Sequence, residues 1–326
     1  MANIKDVALK AGVGIATVSR VINNSGYVKR ETREKVEKVI KEIDYVPNEI
    51  ARSMTLQQNN IVAFILPNST HLFFGELLYF VEAELFEHGY KLMICNSSEQ
   101  IAKEIVYLEM LKNNRVDAVI LLTNNDVDSL IDKSKPVVSF DRRFEGVPFV
   151  ASDNYGGGEM AAKKLLELGC KKFMFIGDDA QGDASPVITE VTNRRLGFNN
   201  YLNSIGINDV INIEYPLGDY IVSAEYVHGL LKNYSDVDGI FAISDAAAAA
   251  VIRELEHTGK RVPEDVKVIG FDGGRSFLNL GKKITSIGQS PELIAEAICS
   301  IIVSYYNKEA VEDKIIPVFF EPGDTA

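Results

Sequence analysis

The sequence predicts an α/β protein in two unequal parts: a small three-helix unit at the N-terminus and a large body of parallel sheets flanked by helices. Three observations lead there. Residues 1–60 repeat apolar side chains at helical spacing and contain no convincing strand. From Asn60 onward, short runs rich in Val and Ile alternate with helix-period segments. Charge divides at the same place: residues 1–60 hold ten Lys/Arg against seven acids, a balance of +3, and the remaining 266 hold 24 against 39, or −15. A basic head on an acidic body is the distribution expected when only the head meets nucleic acid.

In Ile4–Ala11, the apolar Ile4, Val7, Ala8 and Ala11 fall at i, i+3, i+4 and i+7. Gly12-Val13-Gly14 interrupts this face, and residues 15–23 resume it with Val18, Val21 and Ile22. Residues 32–43 show Val36, Val39, Ile40 and Ile43 at the same spacing. Three short helices with a glycine turn between the first two outline a helix-turn-helix. In the body, residues 61–67, 90–95, 117–123, 136–141, 149–153, 172–177, 239–245, 266–272 and 284–289 read as strands. Helical segments are expected at 75–88, 101–113, 158–168, 194–204, 246–257 and 291–306, with Asp245 as an N-cap before the alanine run 246–250. So many strands strain a single open sheet. Two sheets sharing a cleft are expected, with ligands beyond the carboxyl ends of the strands.

The same residues exclude several classes. No apolar run reaches the roughly 18 residues a membrane span needs, and Asp6 stands where a secretory signal would place its apolar stretch. Cys95, Cys170 and Cys299 are odd in number and form no CxxC pair, which points to a reducing, cytoplasmic setting. The chain has no GxSxG elbow, no GxxxxGK[ST] loop and no HExxH, and its four histidines are scattered, so neither enzyme activity nor a metal or cofactor is expected. Gly12-Val13-Gly14 is not a dinucleotide fingerprint, because it follows a helix and Thr17 occupies the third glycine position. Gly156-Gly157-Gly158 could cradle an anion at a helix start but reads better as close helix-strand packing.

Three ordered motifs carry a resemblance. They are residues 12–23 (GVGIATVSRVIN), residues 32–36 (TREKV) and residues 45–53 (YVPNEIARS). With them the whole chain resembles the LacI/GalR family of bacterial transcription regulators. The resemblance implies a helix-turn-helix headpiece over 1–59, with a hinge helix at about 48–57, and a periplasmic-binding-protein-like body over 60–326. That body would comprise two Rossmann-like lobes, one of about 60–152 and 291–316, the other of about 153–290 and 317–326. It also implies that Ile15, Ala16 and Arg20 read the operator. The first two can offer only apolar contact, for instance to a thymine methyl, whereas Arg20 can grip guanine O6 and N7. Thr17, Ser19 and Asn23 would position the helix on phosphates. Asn48, Ala51, Arg52 and Met54 fall in the hinge, where Met54 replaces the usual Leu wedge of the minor groove. Gln57 and Gln58 replace common basic residues, and Gly14 and Lys29 stand where a capping Ser is usual. Gly caps nearly as well, but Lys29 cannot accept the backbone donors.

For the cleft, strand ends and resemblance together select Phe73, Phe74, Asp141, Arg194, Tyr220, Ser244, Asp272 and Gln289. Carboxylates and an arginine suit a ring of hydroxyls, and aromatic faces suit its C–H patches. The expectation is a sugar-responsive regulator, a repressor of a carbohydrate operon, with three partners: near-palindromic double-stranded operator DNA, a sugar effector and a second copy of itself. The chain stops at Asp324-Thr325-Ala326 with no leucine heptads, so a dimer rather than a tetramer is expected. Two other readings stay open: a global carbon-control regulator answering to a phosphorylated protein, and a sugar-binding module alone.

Overall fold

A computed structural model describes residues 2–46, 58–178, 189–215, 233–273 and 281–326. It divides into two compact units, Met1–Asn59 and Asn60–Ala326. In the first, helices α1 (Ile4–Ala11), α2 (Ile15–Ile22) and α3 (Arg30–Glu42) occupy the predicted stretches. Asn3 starts α1 with a reciprocal capping box to Asp6, and Gly12, at φ +63°, ends it in the left-handed region that only glycine enters cheaply. Neither Gly14 before α2 nor Lys29 before α3 supplies a side-chain cap. Val7, Ala8, Ala11, Val18, Val21, Val36 and Val39 form the core.

The second unit holds two six-stranded sheets. Along the chain come β1 (Ile61–Leu66), α4 (Leu72–Glu87), β2 (Lys91–Asn96), α5 (Ile101–Lys112), β3 (Ala118–Leu121), β4 (Val137–Phe140) and β5 (Phe149–Ser152). Then follow α6 (Asn154–Glu167), β6 (Phe173–Asp178), α7 (Asn193–Ser204), β7 (Ile211–Tyr215), β8 (Gly239–Ala242), α8 (Asp245–His257), β9 (Lys267–Asp272) and β10 (Thr285–Gly288). Helix α9 (Pro291–Asn307) and strands β11 (Lys314–Ile316) and β12 (Phe319–Glu321) complete it. The first sheet, ordered β11-β5-β4-β3-β1-β2, is wholly parallel. The second, β12-β10-β9-β8-β6-β7, is parallel except for β12 against β10. Both faces of the central strands are apolar because helices cover both. In β1, Val62, Phe64 and Leu66 enter one core, and Ala63 and Ile65 the opposite one.

The strands β7, β11 and β12 were not among those predicted. Two helix starts also differ. Helix α6 begins at Asn154 under an Asp153 cap, so Gly156, Gly157 and Gly158 lie inside it rather than before it. Helix α8 is capped by Ser244, whose side chain accepts from the Ala247 N–H, and Asp245 is its first helical residue, not its cap.

The chain passes between the sheets three times, after β5, after β10 and between β11 and β12. These crossings are tied together: the Asp153 N–H donates to the Ile316 carbonyl at 2.8 Å, and Ser152 Oγ to Gln289 Oε1 at 2.6 Å. Glycines set the approach of α6 to α7. A Cβ on Gly158 would sit 2.1 Å from the Arg194 carbonyl oxygen, and one on Gly197 2.0 Å from that of Tyr155. That close crossing brings Arg194, one turn before Gly197, against the start of α6.

Candidate functional site

Every charged group in the cluster between the lobes follows the carboxyl end of a strand or sits on a helix fed by one. Arg194, 4% exposed, lies with its guanidinium carbon 3.6 Å from the Phe271 ring centre. Its Nε donates to Asn154 Oδ1 at 2.7 Å and its Nη1 to the Ile243 carbonyl at 2.6 Å. Asp272 Oδ1 is 3.9 Å from Nη1 and accepts from Gln289 Nε2 at 2.7 Å. The Asn154 amide donates to the Ser152 carbonyl, and Ser152 Oγ to Gln289. Arginine, asparagine, serine, glutamine and aspartate thus close a ring through the first two crossings.

From the other lobe come Asp141, just past β4, and His71, just before α4. The Glu190 N–H, on the second lobe, donates to the Asp141 carbonyl at 2.9 Å. Both key carboxylates sit on unusual backbone: Asp141 at φ +55° and Asp272 at φ +117°. Aspartate tolerates the left-handed region of Asp141 better than most residues, but φ +117° at Asp272 lies outside it, and such strain gathers at functional sites.

Burial governs the electrostatics. It pushes the Asp141 carboxyl up to about 6, against the pull of Arg194 and an Asn154 hydrogen bond. It raises Asp272 too, opposed first by Arg194 and then by His71. Arg194 is lowered by burial although Asp272, Asp141 and Asp245 all favour its charge. His71 is lowered by the same cause. Among the described residues, Asp141 Oδ1 is buried with no hydrogen-bond partner, a deficit that a donor from a ligand would remove.

The structure therefore brings together Asp141, Arg194, Asp272 and Gln289 of the predicted set. Phe74 stands beside His71, the two rings 4.8 Å apart. Phe73, 5% exposed, lies instead in the core against Phe140, and Ser244 is occupied as the cap of α8. Tyr220 lies outside the described residues. His71, Asn154, Ser152 and Glu190 were missed. Asp245, whose carboxylate accepts from Ser286 Oγ and the Gly273 N–H, ties α8 to the strand ends β9 and β10. Among the described residues no group of three or more His, Cys, Asp or Glu is placed to hold a metal ion, and no helix is long and apolar enough to cross a membrane.

On the helical unit, α2 buries Val18 and Val21 and turns Ile15, Ala16 and Arg20 outward. Ser19 and Asn23 are half-buried and bonded to each other, Asn23 Nδ2 donating to Ser19 Oγ at 3.2 Å, and Thr17 is half-buried. Ile15 and Ala16 occupy the first turn of the helix, the part that enters a major groove in helix-turn-helix proteins, and Arg20 follows in its last turn. Asn48, Ala51, Arg52 and Met54 lie outside the described residues.

Residues 3–48 match the model of bacterial regulatory proteins of the lacI family, and residues 62–310 that of a periplasmic binding protein domain. The sucrose operon repressor of Streptococcus mutans is 34% identical over 100% of this chain and 99% of its own length. The ribose operon repressor of Halalkalibacterium halodurans is 37% identical over 84% of this chain and 81% of its own. In fold, the chain resembles the lac repressor dimer bound to operator and the anti-inducer ONPF, at a TM-score of 0.84 and 19% identity, covering 99% of this chain and 98% of that one.

Proposed function

The chain belongs to the lacI family of bacterial regulatory proteins, DNA-binding transcription regulators, and from that premise we propose that it represses a carbohydrate operon and lets go of DNA when a sugar binds. One observation carries the sugar half of this reading: buried Asp141 and Arg194 meet the half-buried Asp272 between two lobes. A polyol held there touches both lobes at once, so it has different affinity for open and closed bodies, the condition for any ligand-driven switch. The names of the relatives, repressors of sucrose and ribose operons, support the same choice.

Ile15, Ala16 and Arg20 read bases, while Thr17, Ser19, Asn23 and the hinge residues Asn48, Ala51, Arg52 and Met54 position the head on the duplex. Two copies pair through the body and address a near-palindromic site. Leu72, Tyr79 and Phe86, exposed at seven-residue intervals along α4, offer an apolar stripe for that pairing. The protein works in the cytoplasm and catalyses no reaction.

The test is DNA selection from a random pool with the full chain, followed by gel shift of the selected duplex across a sugar panel. Release by one sugar supports the repressor reading. Binding strengthened by a phosphorylated protein and indifferent to every sugar would replace it with a carbon-control regulator, and failure to select any DNA would leave a sugar-binding module.

A further inference from the structure

The sugar reading leaves open which form of a sugar is admitted, and the charge around Asp141 bears on that. Among the described residues, the one cation acting on Asp141 is Arg194. That cation already faces Asp272, Asp141 and Asp245, is stacked on Phe271, and donates to Asn154 and to the Ile243 carbonyl. His71 adds no dependable positive charge, because burial favours its neutral form. Beside that one committed cation the cluster presents two carboxylates, Asp141 and Asp272. Asp141 Oδ1, in a residue 4% exposed, has no hydrogen-bond partner among the described residues. A sugar hydroxyl is the complementary donor. A phosphate dianion or a sugar carboxylate brings no donor and sets negative charge beside buried carboxylates, which is how a site rejects a near-identical ligand.

We infer that the effector is an uncharged sugar whose hydroxyls donate to Asp141 and Asp272, and that the cluster excludes the phosphorylated and acidic forms of the same sugar. This rests on the proposed sugar-responsive function and narrows it. Its consequence is a regulator answering to sugar before the cell phosphorylates it.

The experiment uses the full-length protein and titration calorimetry on matched pairs: D-ribose with D-ribose 5-phosphate, sucrose with sucrose 6-phosphate, D-glucose with D-glucose 6-phosphate. At least one free sugar is expected to bind, with its phosphate weaker by on the order of tenfold or more, as like-charge contacts demand. Asp141→Asn, checked for retained DNA binding and unfolding temperature, is expected to weaken the free sugar and to narrow the gap to its phosphate. A phosphate that binds as well as or better than its free partner overturns the inference and leaves the sugar reading standing. Heat from no pair, with the selected duplex released instead by a small molecule that is not a sugar, removes both.

Discussion

Arg20 stands exposed on α2 and has no part in the core, so replacing it tests recognition without disturbing the fold. Arg20→Ala is expected to cost about 1–3 kcal/mol of operator affinity and to relax the preference at one guanine, as loss of a bidentate base contact does. Gel-shift titration on the selected duplex and on single-base variants at one salt concentration measures this. Uniform weakening across all variants would make Arg20 a phosphate contact instead. Asp141 gives a pH signature. Its carboxyl is raised to about 6, so the fold binds that proton more tightly than the unfolded chain does. Ionising it costs stability as pH rises from about 4 to about 6, and a hydroxyl donated to the carboxylate offsets that cost. Sugar affinity is therefore expected to be flat above pH 7 and to fall by up to about tenfold per unit below 6. In Asp141→Asn it should be weaker and show no such fall, and an unchanged acid limb there would remove Asp141 from the binding event. At this scale Arg194 and Gln289 could be read from the sequence because each matches a family position, and Asp141 and Asp272 because each closes a predicted strand. His71 and Asn154 could not, because a histidine before a helix and an asparagine after a cap acquire a role only when another strand end comes against them.

Elements were legible wherever period and length agreed. Strands β1 to β6 and β8 to β10 are apolar runs bounded by turn residues, whereas β11 and β12 are three residues each at sheet edges with little buried surface to mark them. Strand β7, Ile211-Asn212-Ile213-Glu214-Tyr215, does alternate apolar and polar residues, a period-2 signal that a criterion of continuous Val- and Ile-rich runs passes over. Two elements invite a test. Lys29 occupies the N-cap of α3 on extended backbone (ψ 140°) with no side-chain cap, so Lys29→Ser is expected to stabilise the helical unit by about 0.5–1 kcal/mol. Thermal unfolding of residues 1–59 checks it, and a lower melting temperature would mean Lys29 is needed where it stands. The α6–α7 crossing should respond in the opposite direction. Gly197→Ala places a methyl 2.0 Å from the Tyr155 carbonyl oxygen, where backbone must move. The expected loss is about 1–3 kcal/mol, accompanied by loss of sugar binding, since Arg194 rides on the same helix one turn away. Calorimetry beside the melting curve separates this from simple destabilisation, which would leave affinity below the transition unchanged.

For the whole molecule, the division into a basic head and an acidic body was visible in composition, and the two sheets in the number of strands. What composition could not show is how the lobes are held against each other. Beyond the ring at the crossings, the described contacts across the cleft include an ion pair, Arg143 Nε to Glu190 Oε1 at 2.6 Å, beside the Glu190 N–H bonded to the Asp141 carbonyl. Arg143 also stacks 3.8 Å over Phe149 and reaches Asp313 at 3.4 Å, and Asn193 Nδ2 donates to Glu190 Oε2 at 2.8 Å. Both partners are therefore prepositioned on their own lobes, and the pair forms only when the lobes meet. With 57% of the Arg143 side chain exposed, the pair is worth about 0.2–1 kcal/mol to the closed body. Under the proposed closure by sugar, losing the pair lowers apparent affinity by the same free energy. Arg143→Ala is expected to weaken the sugar by up to about fivefold and to leave sugar-free operator binding as it was. Glu190→Gln should have a similar effect, and the double variant should be no weaker than either single one, since both remove one contact. Additive losses in that cycle would show that the two residues act separately and that their ion pair does not hold the lobes together.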